Sequence, residues 1–204
     1  MNVIYKVYTG ILVMFFLSAS ICGYAQKQHY PMLRPGDYDP LIIAYDSASH
    51  VVTGYLEEKT EMKPYISCNL YFTGIMDSSM QKAEILFYEF FLDAKVKSEG
   101  TLSVEKEGDI RIKSKNSIMP CQYIENISDY SASLSQPKRY NRIAIIKSQR
   151  QYLYRSPNEG AATKAYLIKC DPVIIVKQQG QWLLIKYLKN EKTERWIPSS
   201  AVFL

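Results

Sequence analysis

Apolar residues fall at every second position in several stretches of this chain, the pattern of strands with one face buried and one face wet. In YISCNLYFTG (65–74), Ile66, Cys68, Leu70 and Phe72 share one face. In GTLSVEKEGDIRIKS (100–114), Leu102 and Val104 alternate, Glu107-Gly108-Asp109 turns, and Ile110 and Ile112 alternate again, which predicts a β-hairpin. LIIAY (41–45) and VVTGYLEE (51–58) read as strands on either side of the turn-like DSASH. The longer apolar run AEILFYEFFLDAKV (83–96) reads as a strand, because Ile85, Phe87, Phe90 and Phe91 include aromatics suited to a pleated surface. A helix is the competing reading there. Tyr130, Ala132 and Leu134 alternate in DYSASLS (129–135) and are expected to close the sheet. Residues 38–136 therefore predict a meander of six or seven strands that buries one face by curling into an antiparallel β-sandwich or small barrel.

A polar segment, QPKRYNR (136–142), follows, and residues 137–142 read as a linker. From residue 143 the strand signals are denser. IAIIKS (143–148) and QYLYRSPNEG (151–160) come first, and Asp171-Pro172, Gln179-Gly180 and Asn190-Glu191 break the rest into short strands. About 60 residues with breaks every 8–12 is the pattern of a small all-β barrel. At the end, Pro198 cannot donate a ladder hydrogen bond and stops the strand carrying Trp196 and Ile197. Ser199 and Ser200 suit a tight turn. Val202 and Leu204 then form a short strand that covers an edge.

Four ordered pieces of this region, YLYRSP (152–157), YLIKCDPVIIV (166–176), GQWLLIKY (180–187) and RWIPSSAVFL (195–204), resemble the bacterial SH3-like domain family. The resemblance covers about residues 143–204 and implies an SH3-like barrel; residues 38–136 resemble no family. Two positions depart from the family pattern. Cys170 and Arg195 stand where glycine is usual, and a Cβ there demands negative φ or strain. The resemblance also implies a non-catalytic binding role, with cell-wall peptide or a protein partner as ligand. The alternative is a periplasmic inhibitor or immunity-type protein that blocks a toxin or hydrolase.

The chain's beginning agrees with such a setting. Lys6, the apolar run GILVMFFLSASIC (10–22) and the small residues Gly23 and Ala25 predict a secretory signal peptide over residues 1–25. The run is shorter than the roughly 20 residues of a membrane span. A lipid anchor at Cys22 would want a small residue in place of Ile21. The mature chain is thus expected to be exported to the periplasm or the cell exterior, with 26–37 as an extended lead-in. Export sets the redox context for Cys68, Cys121 and Cys170, an odd number. The expected disulfide joins Cys68 and Cys121 and leaves Cys170 a buried thiol.

Charge divides along the chain. Residues 141–204 carry eleven Lys/Arg against four Asp/Glu, a net +7, while residues 26–140 carry thirteen against sixteen, a net −3. The basic part suits an anionic partner, or simply a solvated surface. Nucleic acid is not expected, since no aromatic-plus-basic recognition motif is present. Catalysis is not expected either. His29 and His50 are the only histidines, and both precede every cysteine of the mature chain. No Gly-x-Ser-x-Gly elbow, phosphate loop or zinc spacing occurs, so no metal and no cofactor are expected. Glu57, Glu58, Glu105 and Glu107 read as surface charge.

The candidate ligand-binding residues are aromatic. In the strand 182–187, Leu183, Ile185 and Tyr187 share one face, and Trp182, Leu184 and Lys186 share the other, which Lys186 turns toward water. Trp182, Trp196, Tyr154, Tyr187 and Lys186 are the expected ligand contacts, because SH3-type barrels line a peptide groove with exposed aromatics. Core packing is the competing role for these rings.

Overall fold

The computed structural model describes residues 31–59, 67–89, 95–116 and 128–203. The expected signal peptide therefore lies outside the described residues. So do Cys121 and the Cys68 side chain, and with them the expected disulfide. The fold is all-β and consists of two curled antiparallel sheets.

The first sheet is a meander in chain order: β1 (Gly36–Tyr38), β2 (Leu41–Asp46), β3 (Val51–Lys59), β4 (Ser67–Met76), β5 (Lys82–Glu89), β6 (Lys95–Val104), β7 (Ile110–Ser114) and β8 (Asp129–Ala132). Then β9 (Gln136–Pro137) pairs with β1 at the far edge. Three residues separate β8 from β9, a span of about 13 Å at most for extended chain. The sheet must therefore curl until its last strand approaches its first. The predicted inward residues fill that curl: Leu70, Phe72, Ile85, Phe87, Leu102, Ile110 and Ile112 are buried together, with Tyr130, Ala132 and Leu134 packed against them. The hairpin at 104–110 turns on Gly108, at φ +87°. Phe72 and Phe87 meet edge to face at 5.9 Å, and the Phe72 ring fills the space that a Cβ on Gly54 would need.

The second sheet holds β10 (Arg142–Ile146), β11 (Arg150–Tyr154), β12 (Ala162–Ile168), β13 (Pro172–Gln179), β14 (Trp182–Tyr187), β15 (Asn190–Pro198) and β16 (Val202–Phe203), in the order β12-β11-β15-β14-β13-β10-β16. Its inner face buries Ala144, Ile146, Val173, Leu183, Ile185, Ile197 and Val202. β15 ends at Pro198, a 3₁₀ turn spans Ser199–Ala201, and β16 then covers the edge of β10. The two glycine-site departures resolve differently. Cys170 takes φ +74°, the left-handed geometry of the turn, despite its Cβ. Arg195 sits within β15 opposite Ile185, without a positive φ.

The sheets touch back to back. Ala44, Tyr55 and Tyr71 of the first pack against Ile143, Ile145 and Ile174 of the second and against Tyr140, which precedes β10. Backbone groups at the contact are satisfied across it: Ile143 N–H donates to Thr53 Oγ1 at 2.9 Å, and Tyr45 N–H donates to the Tyr140 carbonyl at 3.0 Å. The stretch expected as a linker takes part, since Tyr140 is buried and its hydroxyl donates to Glu191 at 2.6 Å. From Pro31 to Leu204 the chain forms one compact unit.

Candidate functional site

The sheet contact covers the outer face of the second sheet at β10 and β13, with Phe203 of β16 packed beside them. Beyond it, β14, β15, β11 and β12 turn their outward positions to solvent. Register aligns aromatic residues there. Tyr154 on β11 stands opposite Trp196 on β15, Trp196 stands opposite Leu184 on β14, and Tyr152 stands opposite Tyr166 on β12. Directly opposed residues of an antiparallel pair share a face. The inward neighbours Leu153, Leu183 and Ile197 pack in the core, which assigns the aromatic set to the outside.

The result is a stripe across four strands. The Trp182 and Tyr154 rings meet edge to face with centroids 4.9 Å apart. Trp196, 8 % exposed, forms the floor beside them. Tyr152 and Tyr166 continue the stripe as a second edge-to-face pair at 6.3 Å, both more than two-fifths exposed. A cation stands at each end: Lys177 Nζ lies 5.3 Å from the Trp196 ring centroid, and the Arg150 guanidinium 4.3 Å from that of Tyr166. Such contacts keep positive charge against the rings without neutralising it.

The predicted residues thus fall into three groups. Trp182 and Tyr154 are together at the surface, with Trp196 beneath. Lys186 lies on the same face but is held by Glu194 at 3.6 Å. Tyr187 is on the opposite face, packed against the core, and its hydroxyl donates to Asp171 Oδ1 at 3.2 Å. Burial, reinforced by the Asp171 carboxylate, pushes that hydroxyl up to about 12. Arg150, Tyr152, Tyr166 and Lys177 join the stripe beyond the contacts expected from the sequence. The alternation in RQYLY (150–154), with Leu153 inward, was the available signal for the first two. The cross-strand register that adds Tyr166 and Lys177 has no counterpart in local sequence.

Other candidate chemistry is held in structural roles. His50 sits in the β2–β3 turn at φ +57°, its Nδ1 3.2 Å from the Tyr45 hydroxyl. Burial pushes the Cys170 thiol up, which keeps it protonated at neutral pH. A groove of about 540 Å³ lies away from the stripe, lined by Asp37, Asp39, Pro40, Leu41, Ile42, Ser135 and Gln136. Its lining residues bring two carboxylates, Asp37 and Asp39, and no aromatic ring, so the two places offer different chemistry. The stripe is an open face rather than a pit, and suits an extended chain better than a compact small molecule. Comparison with family models, with curated proteins and with solved structures returned no match for this chain.

Proposed function

We propose that this is an exported, non-catalytic binding protein whose SH3-like C-terminal sheet takes a peptide chain, from the cell wall or from a protein partner, on its aromatic stripe. The observation that carries the reading is the Trp182–Tyr154 pair over Trp196, continued by Tyr152 and Tyr166 and flanked by Arg150 and Lys177. Tyrosine and tryptophan offer large apolar area with a polar handle and little entropy to lose, which suits them to a recognition surface. The flanking cations favour ligands bearing carboxylates and speed encounter more than they strengthen the final complex.

The test is retention on purified peptidoglycan, and affinity for its soluble stem peptides, for the protein and for Trp182→Ala. The variant should lose about 2 kcal/mol or more if Trp182 is a hot spot. Tyr187→Phe, on the opposite face, should bind as the parent does, and added salt should slow association. Co-purification of an exported protein through Trp182, with no retention on peptidoglycan, would assign the ligand to a protein. Equal behaviour of Trp182→Ala and the parent toward every ligand would end the proposal.

A further inference from the structure

The sheet that carries the stripe ends in an uncovered strand. β12 is bonded to β11 on one side and, among the described residues, to no strand on the other, whereas β16 covers the opposite edge at β10. The hydrogen bonds show which backbone groups face outward. Ile168 N–H donates to Asp171 Oδ2 at 2.9 Å, so it turns away from β11. Backbone polar groups alternate in direction along a strand. The N–H and C=O of Tyr166, two residues back, therefore point to the same open edge. Asp171 blunts the edge at Ile168 and leaves it open at Tyr166. Ala165 N–H, of the other parity, is taken by Thr163 Oγ1 at 3.2 Å.

The same edge is basic. From Arg150 to Lys169, through β11 and β12, the chain carries four Lys/Arg and one acid, Glu159. Arg150 lies over Tyr166, and Lys164 is exposed on the same strand two residues before that ring. A second copy of this chain fits poorly, because it would bring a second basic edge against this one.

We propose that β12 is a docking edge on which an acidic, extended segment of a protein partner adds as a further strand. Main-chain bonds to Tyr166 give affinity, and alternate carboxylates meet Arg150 and Lys164. A regular ladder needs an all-L, α-linked backbone, which selects a protein segment over cell-wall peptide. The inference rests on the aromatic stripe as the recognition surface and names its partner.

The experiment uses the full chain and three synthetic peptides: alternating glutamate and valine, alternating lysine and valine, and the glutamate peptide N-methylated at every second amide. The glutamate peptide should bind and move the Tyr166 and Lys164 amide resonances. N-methylation in the bonded register should weaken it by about tenfold or more as ladder hydrogen bonds are lost. Lys164→Glu should shift the preference to the lysine peptide. Absence of binding, unmoved Tyr166 and Lys164 amides, equal affinity of the N-methylated peptide, or self-association of the chain through this edge would each overturn the proposal. If N-methylation has no effect while Trp182→Ala abolishes binding, the edge falls and the stripe stands. If N-methylation weakens binding and Trp182→Ala does not, the edge stands and the stripe falls.

Discussion

Strands β5 to β8 of the first sheet and strands β11, β12, β14 and β15 of the second both turn one face to water, and they furnish it in opposite ways. On the first, charges pair with one another: Lys82 with Glu84 along β5, Glu99 of β6 with Lys115 just past β7, and Arg111 of β7 with both oxygens of Asp129 of β8. Leu86 of β5, and Ile75 of the neighbouring β4, are large apolar residues left exposed beside them. On the second, the outward positions hold tyrosine and tryptophan, and Arg150 and Lys177 stand against rings. A face whose charges already answer one another has little to offer a partner. A face of rings with cations beside them can gain by covering the rings and by meeting a carboxylate. Both sheets obey the same period-two rule. The residues at the outward positions, not the architecture, separate the face of paired charges from the aromatic one.

The largest effect should come from the place where the sheets join. Tyr71→Ala should cost about 3–5 kcal/mol, as for a large buried aromatic. Both tryptophans lie in the second sheet, so their fluorescence reports that sheet alone. If the sheets unfold as one, Tyr71→Ala on the first will move the tryptophan transition of the second along with the far-ultraviolet signal. Two separated transitions would break the comparison into two independent domains.

Alkaline titration tests the same cooperativity. Burial pushes the hydroxyls of Tyr38 and Tyr187 up to about 12, and those of Tyr55, Tyr71 and Tyr140 up as well. In the unfolded chain tyrosine ionises near pH 10. Because the folded values are raised, this stabilisation is complete below about pH 10 and is lost as pH rises through the folded values. Tyrosinate absorbance from these residues should appear together with loss of β-sheet signal. Their ionisation with the circular dichroism unchanged would contradict the burial described here.

A smaller effect is expected at Cys170. An L-residue in the left-handed region is disfavoured by about 1–2 kcal/mol, and glycine gives part of that back through its flexible unfolded state. Cys170→Gly should raise the denaturation midpoint by about 1 kcal/mol equivalent, and a lower midpoint would show that the thiol's packing outweighs the backbone. The smallest effect belongs to the charged face of the first sheet. Arg111→Ala removes an exposed ion pair and should leave both the midpoint and peptide binding within error. A clear loss of binding would move recognition to that sheet.

Local sequence was a good guide to inward faces. Leu102, Ile110 and Ile112, and Leu183 and Ile185, lie where alternation placed them, because a strand with one wet face must repeat every two residues. It was a poorer guide where both faces are buried. Ile143-Ala144-Ile145-Ile146 is apolar without interruption, and the structure gives Ala144 and Ile146 to one core and Ile143 and Ile145 to the sheet contact. An unbroken apolar run is the mark of such a strand. It does not say which element covers the second face.

An all-β chain, the 104–110 hairpin, the inward residues of most strands and the stop at Pro198 were legible from local sequence, because these follow from near-neighbour sterics and a two-residue period. Long-range packing settled that Tyr140 joins a core, that the Tyr187 hydroxyl meets Asp171, and that Trp182, Tyr154, Tyr152 and Tyr166 form one surface with Arg150 and Lys177. Those outcomes depend on register between strands distant in the chain, and on which outer face the other sheet covers. Register is settled by packing over the whole sheet, so no single stretch of residues contains it.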